Sequence, residues 1–378
     1  MEKPSLWTIF WTYILIGLQG WGGPAAQIQI IHEHAVEKKK WIDNDRFRDA
    51  FAVCGMLPGP EAAELCMYVG YRQRGYVGGF LAGLGFMLPN FFLITVLAWA
   101  YFQYAATSEI AQGLLYGVKP AMVAIVLFSL YRISNKFGVL QDRKKLLITI
   151  LMITLAFITQ FDLILLLLVM GFVYMIISRS TNNSALSVNS LPLIVGASVA
   201  TASIPTNLSL LFLKIGALSF GGAYTVLALL QFEAVDNFGW LTTEQYIDGL
   251  AINELTPGPT IMVAAFVGFA AYGFWGATLA TFFIFLPAFL LVLIGAPYFD
   301  KIRENKKLTV YLAGVSAAVV GLIASFLIRL SLDVFHDIGS IAIAIIMLVL
   351  LFKFKWQIWK VFIVALAIGS SLILLNLI

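Results

Sequence analysis

The chain has 378 residues, 61% of them hydrophobic and only 12% charged, with a net charge of +4 and a mean hydropathy of +0.92. An ordinary soluble domain carries about 25% charged residues, so this composition excludes a water-soluble globule and a disordered chain, and the scattered charge excludes a nucleic-acid footprint. Lipid is part of the solvent, and at about 20 residues per bilayer-crossing helix the chain holds roughly ten spans.

The N-terminus superficially resembles a signal peptide. Its apolar run leads into Gly20-Trp21-Gly22-Gly23-Pro24 rather than a small-x-small cleavage site, so residues 6–30 read as a first retained span. A basic loop follows at Glu37 to Arg48, and a second at Arg72 to Arg74. The short stretch between them is interrupted by Pro58-Gly59-Pro60. Proline blocks helix continuation and biases its predecessor away from helix. If both basic loops lie on one side, this stretch enters the membrane and returns as a re-entrant hairpin. Spans are then expected at 76–103, 110–132, 146–160 and 163–178. After a polar linker, with 191–205 not crossing, they recur at 208–232, 274–298, 309–330, 339–353 and 360–377. A second hairpin is broken at Pro257-Gly258-Pro259. The two cysteines, Cys54 and Cys66, lie in apolar surroundings and imply no disulfide framework.

The chain repeats itself. Gly17 to Gly23 matches Gly216 to Gly222, Trp41 meets Trp240, Asp49 meets Asp248, and the two Pro-Gly-Pro motifs coincide. Gly75 then meets Gly273, Leu88-Pro89 meets Leu286-Pro287, Gly117-Val118 meets Gly314-Val315, and Arg132 meets Arg329. This divides the chain into a first repeat at 1–180, a linker at 181–207 and a second repeat at 208–378. Loop charge changes sign between copies. The basic loops of the first copy, Glu37 to Arg48, Arg72 to Arg74 and a third at Lys136 to Lys145, correspond to acidic or neutral ones at Glu233 to Asp248, Ala270 to Gly273 and Asp333 to Asp337. Conversely, uncharged-to-acidic Thr107 to Glu109 corresponds to Asp300 to Lys307, which holds Lys301, Arg303, Lys306 and Lys307. Short basic loops stay cytoplasmic, so the copies are expected to insert in opposite orientations as an inverted repeat. The predicted fold class is an all-α polytopic membrane protein of about ten transmembrane helices plus two re-entrant helical hairpins.

Broken backbone at membrane depth is tolerated only against protein or a water-filled cavity, and two matching breaks point to a midplane site between repeats. Pro24, Pro60 and Pro259 each look like a helix start. Converging helix N-termini offer unpaired N–H groups and partial positive charge to an anion. The alternative is that these motifs are kinks for tight packing. Lys119, mid-span in Gly117-Val118-Lys119-Pro120, either neutralises a bound anion or pairs with a buried carboxylate. Glu64, Glu254, Asp49 and Asp248 are candidates for carrying protons, and Glu61 either shares the site or caps a helix. Arg132 and Arg329 read as interfacial anchors. His32 and His34, two apart, do not share a helix face and make a poor metal pair. No nucleotide-binding loop or hydrolase motif is visible.

At these residues the sequence resembles the chromate ion transporter family in its long two-domain form. The stretches are Gly22-Gly23-Pro24-Ala25, Val36 to Trp41, Leu57-Pro58-Gly59-Pro60-Glu61 and Gly117-Val118-Lys119-Pro120-Ala121. In the second copy they are Phe220-Gly221-Gly222-Ala223-Tyr224, Gly239-Trp240-Leu241-Thr242, Asp248-Gly249-Leu250-Ala251 and Glu254 to Val263. Departures are Trp21, where Phe is usual, and Asn253, where a small residue is commoner. The resemblance implies a multi-pass protein of a bacterial-type inner membrane, not an enzyme and without a cofactor. It would export chromate in competition with sulfate-like oxyanions, with a proton-linked energy source. The expected site joins backbone N–H groups of residues 22–25, 59–61, 221–223 and 258–260 with Lys119, and Gln27, Tyr224, Thr256 and Thr260 as hydrogen-bond donors. Expected partners are that oxyanion and the bilayer, with a homodimer left open. The alternatives are a transporter of sulfate or another anion, including uptake, and a membrane-embedded enzyme or scaffold.

Overall fold

The computed structural model describes residues 3–55, 57–105, 109–158, 162–179, 203–220, 223–295 and 306–374. Among them are fourteen α-helices and no strand. Helix α1 (Leu6–Gln19) opens on Ser5, whose hydroxyl accepts the Thr8 N–H, and stops at Gly20. Helix α2 (Gly23–His32) restarts with Gly22 at φ 96° and Pro24 in its first turn, then widens into a π-helical turn over Glu33–Lys38. The expected unbroken span 6–30 is therefore two helices. A left-handed glycine followed by proline ends one hydrogen-bond ladder and starts another. The expected span 208–232 is likewise two helices, α8 (Ile204–Ala217) and α9 (Ala223–Leu230), with a π-helical turn at Gln231–Asn237.

Helix α3 (Asn44–Cys54) is capped by Asp43, and its counterpart α10 (Thr243–Glu254) by a reciprocal Thr242–Gln245 capping box. Both end just before Pro-Gly-Pro. Helix α4 (Glu61–Ala100) follows the first break, and α11 (Val263–Gly295) follows the second through a 3₁₀ turn at Thr260–Met262. A straight 40-residue helix would be about 60 Å long. Instead α4 turns back at Arg74 (φ −139°, ψ 29°) and Gly75 (φ 61°, ψ −153°). Helix α11 turns at Tyr272 (φ −151°, ψ 31°) and Gly273 (φ 59°, ψ −151°). That glycine conformation is closed to side chains. The limbs then lie against each other. A Cβ on Gly70 would come within 2.5 Å of Ala82, and one on Gly268 within 2.6 Å of Ala280. Each long helix is thus a hairpin of a short limb before the turn and a long limb after it.

The remaining helices are α5 (Glu109–Lys136), α6 (Arg143–Ile158), α7 (Leu163–Arg179), α12 (Lys306–Val334), α13 (Ile338–Phe352) and α14 (Ile358–Leu374). The halves interlock. Helix α5 packs on α13 and α14, α12 packs on α6 and α7, and α4 packs on α11. Within each half, α1 lies on α4 and α8 on α11, with Gly17 directly against the Phe86 backbone and Gly216 against that of Ile284. Lipid supplies no hydrophobic drive between helices, so close backbone approach at small residues supplies dispersion instead. Large apolar side chains such as Trp7, Trp11, Phe92, Trp99, Trp275 and Phe282 stay exposed, which suits contact with acyl chains.

Among the described residues, four helices are long and apolar enough to cross a membrane, running Glu61–Tyr104, Tyr116–Lys136, Thr260–Gly295 and Lys307–Val334. Other apolar helices are shorter. The stretch 191–202 and most of the linker lie outside the described residues. Cys54 and Cys66 are free and buried.

Candidate functional site

The second Pro-Gly-Pro is bound to the first half. Gly258 N–H donates to Gly20 O at 3.1 Å. The buried Gln27 amide joins the same two residues, donating to Gly258 O at 2.5 Å and to Gly20 O at 3.3 Å. Gly258 has φ 121°, and a Cβ there would lie 2.6 Å from Asn90 Nδ2. Asn90, on the long limb of α4, is 1% exposed, and neither amide atom has a hydrogen-bond partner. A buried polar group left unpaired costs about 1–3 kcal/mol.

The rest of this turn is polar and buried. Thr256 Oγ1 donates to Asn253 O at 2.7 Å, and Asn253 Nδ2 donates to Thr260 O at 2.9 Å. Asn253 therefore ties the end of α10 to the start of the next helix. The Thr260 hydroxyl reaches Glu254, whose Oε1 is buried without a partner. Tyr224 lies near Glu254 and near Ser129 of α5. Pro257 and Pro259 are buried beside them.

The first Pro-Gly-Pro differs. Pro58 is half-buried, Gly59 and Pro60 are buried, and Pro60 opens the short limb of α4 without a side-chain cap. The Glu64 carboxylate lies directly against Gly59, with Ala288 of α11 behind it. Glu64 is fully buried and neither oxygen has a partner. Glu61 is not a cap; its carboxylate takes a 2.6 Å bond from Lys136.

Lys119 meets two carboxylates. Its Nζ is 3.4 Å from Asp248 Oδ1 and 3.2 Å from Glu244 Oε1, both on α10. Tyr101 Oη donates to the other Asp248 oxygen at 2.7 Å. Asp248 is buried, whereas its counterpart Asp49 is exposed. Gly22 and Gly23 face Trp359 and Ile358, and Ala25 is exposed. Ala223 is buried, and Gly221 and Gly222 lie outside the described residues. Among the described residues no three metal-ligating side chains cluster. The His32 ring is held between Asn44 and Glu37.

The profile of a family described as chromate transporter matches residues 7–175 and 206–370. The chain belongs to the chromate transporter family. It is 37% identical to a chromate transport protein of Pseudomonas aeruginosa over 374 residues, which cover 94% of this chain and 88% of that one. It is 30% identical to a chromate transport protein of Cupriavidus metallidurans over 351 residues, 91% of this chain and 87% of that one. An uncharacterized transporter of Bacillus subtilis is 32% identical over 120 residues, 32% of this chain but 60% of that shorter protein. No solved structure matches. This chromate transporter family member is a multi-pass membrane protein, and its family is one of transporters.

Three residues of the site escaped sequence reasoning. Asn90 follows Leu88-Pro89, which served only as a repeat marker, yet it faces Ala288 in the alignment and is a lone amide in an apolar span. Tyr101 and Glu244 carry no sequence signal, because their roles arise from packing α4 and α5 against α10.

Proposed function

We propose that this chain exports chromate, a tetrahedral dianion competed by sulfate, by alternating access across a bacterial-type inner membrane. The observation that carries this reading is the broken segment at Gly258, bound through its backbone to Gly20 of the other half in a member of a chromate transporter family. Two halves, 1–180 and 208–378 with a linker at 181–207, insert in opposite orientations. Ten spans and two re-entrant hairpins result, and one half moves against the other. Helix N-termini at the breaks read charge and size rather than the central atom, which is why sulfate competes.

With the cell interior negative, exporting one negative charge gains about 2.3 kcal/mol per 100 mV, and a dianion roughly twice that. Membrane potential alone can drive export, and proton exchange is an added source rather than a necessity. Glu64, buried with neither oxygen partnered, and Glu254, buried with Oε1 unpartnered, are the proton carriers if exchange occurs. Asp248, held by Lys119 and Tyr101, and exposed Asp49 are weaker candidates.

The test is labelled chromate and sulfate flux in proteoliposomes under imposed voltage and pH gradients. Chromate should move down an imposed voltage and be inhibited by sulfate. Absence of flux of either anion under every gradient would sink the reading.

A further inference from the structure

The sequence treats the two Pro-Gly-Pro breaks as equivalent halves of one anion site. The side chains that meet them are not equivalent. The helical run after the first break carries Glu61 and Glu64 in its first turn, and Glu64 lies against Gly59. The run Thr260–Gly295 after the second break has no acidic residue in its first turn. Instead an amide from the opposite half, Asn90, fills the space beside Gly258. The position equivalent to Asn90 is Ala288, and it sits behind Gly59. One break therefore faces a carboxylate and a methyl group, and the other faces a carboxamide. Among the described residues, the Glu254 carboxylate of α10 also reaches the second break, at Thr260.

Resting on the reading that this chain moves a tetrahedral oxyanion, we propose that the oxyanion binds at the second break alone, and that Asn90 Nδ2 is its specificity-determining donor. A dianion is repelled by a like charge at close range, and at the first break the Glu64 carboxylate lies against Gly59 itself, whereas the atoms nearest a Cβ on Gly258 are those of Asn90. The second offers a helix start whose N–H groups lack an acidic side chain in the first turn. Beside it stands a buried amide with both polar atoms unspent. Buried polar groups in folded proteins are almost all paired, and a bound oxyanion gives this amide the acceptor it lacks. Gly258 is required on both counts. Its φ of 121° favours glycine, and a Cβ would displace the Asn90 side chain.

The experiment measures inorganic sulfate affinity by titration calorimetry, and chromate KM in proteoliposomes, for wild type, Asn90→Ala and Asn90→Asp. Alanine is the residue the same fold position carries in the other half. Aspartate keeps the shape of the side chain while replacing its donor with a like charge, so it carries the test if the alanine variant inserts poorly. Losing one hydrogen bond to a charged group should weaken sulfate about 10-fold or more in Asn90→Ala and raise chromate KM in parallel. Asn90→Asp should bind no measurable sulfate at neutral pH. Wild-type activity with either well-inserted variant binding sulfate within about 2-fold of wild type would overturn the assignment of Asn90 and leave the oxyanion reading intact. A wild-type protein that neither binds sulfate nor moves chromate would overturn the oxyanion reading itself, and the assignment with it.

Discussion

At the scale of single residues, the glycines of this chain separate into those required by backbone angle and those required by space. Nothing lies within 4 Å of a Cβ built on Gly75, which has φ 61°. Only the dihedral demands glycine there, so Gly75→Ala should cost about 1–3 kcal/mol and lower the melting temperature in detergent. Gly258 faces both constraints, because a Cβ would lie 2.6–2.9 Å from three atoms of Asn90. Gly258→Ala should therefore abolish chromate flux, and an alanine variant with wild-type flux would show that this turn can relax without consequence. Glu254→Gln separates proton coupling from voltage. If Glu254 carries the proton, flux by this variant should lose its dependence on a pH gradient while still responding to voltage. Dependence retained on pH would exclude Glu254 as the carrier.

At the scale of elements, contacts between helices decide what a charge means. Lys119 of α5 holds two carboxylates of α10. Lys119→Met should weaken chromate transport at normal membrane insertion. The double variant Lys119→Met/Asp248→Asn discriminates between its two readings. Removing one member of a buried pair strands the other. If the lysine serves only Asp248, the double variant recovers flux; if it also supplies charge to the anion, flux stays low. Unchanged export by Lys119→Met alone would remove the residue from the mechanism.

A second element-level case rests on Asp337, which precedes α13 and lies outside the membrane spans. Asp337 caps α13 by accepting the Ser340 N–H at 2.8 Å, and it also accepts the Tyr116 hydroxyl at 2.7 Å. The Tyr116 bond holds its carboxyl below the usual carboxylate range. A depressed folded-state pKa stabilises above the unfolded value, near 3.9, and that contribution is lost as pH falls through the folded value. Tyr116→Phe should therefore shift the onset of acid unfolding to higher pH, and Asp337→Ala should cost about 1 kcal/mol at neutral pH. Thermal melts across pH 3–7 check both.

At the scale of the whole molecule, the decisive question is orientation. Opposite insertion of the two halves, as proposed, would place Lys40, exposed in its loop, on the cytoplasmic side and Trp240 on the outer side. Single cysteines at these positions should react with a membrane-impermeant reagent from opposite compartments. The native thiols are buried, which keeps background labelling low. Reaction of both from the same side would overturn the inverted arrangement. The interlocked packing of α5 on α13 and α14, and of α12 on α6 and α7, means that neither half has a complete core alone. Co-expressed halves should therefore restore flux where either half by itself does not.

The sequence by itself determined the membrane environment, the two breaks and the matched turns at Gly75 and Gly273. Each of these is local. Apolar run length sets bilayer partition, proline removes a backbone donor, and a glycine-only dihedral leaves its mark in composition. The same local chemistry split the first span at Gly20 to Gly23, although the apolar run there reads as continuous. Only the tertiary structure decided which side chain meets which break. Glu64 reaches its own hairpin's glycine, but Asn90 reaches Gly258 from the other half of the chain, and Lys119 finds its carboxylates on α10. Such pairings depend on how helices distant in sequence cross in space, and no periodicity or motif along one segment encodes the partner that arrives from another.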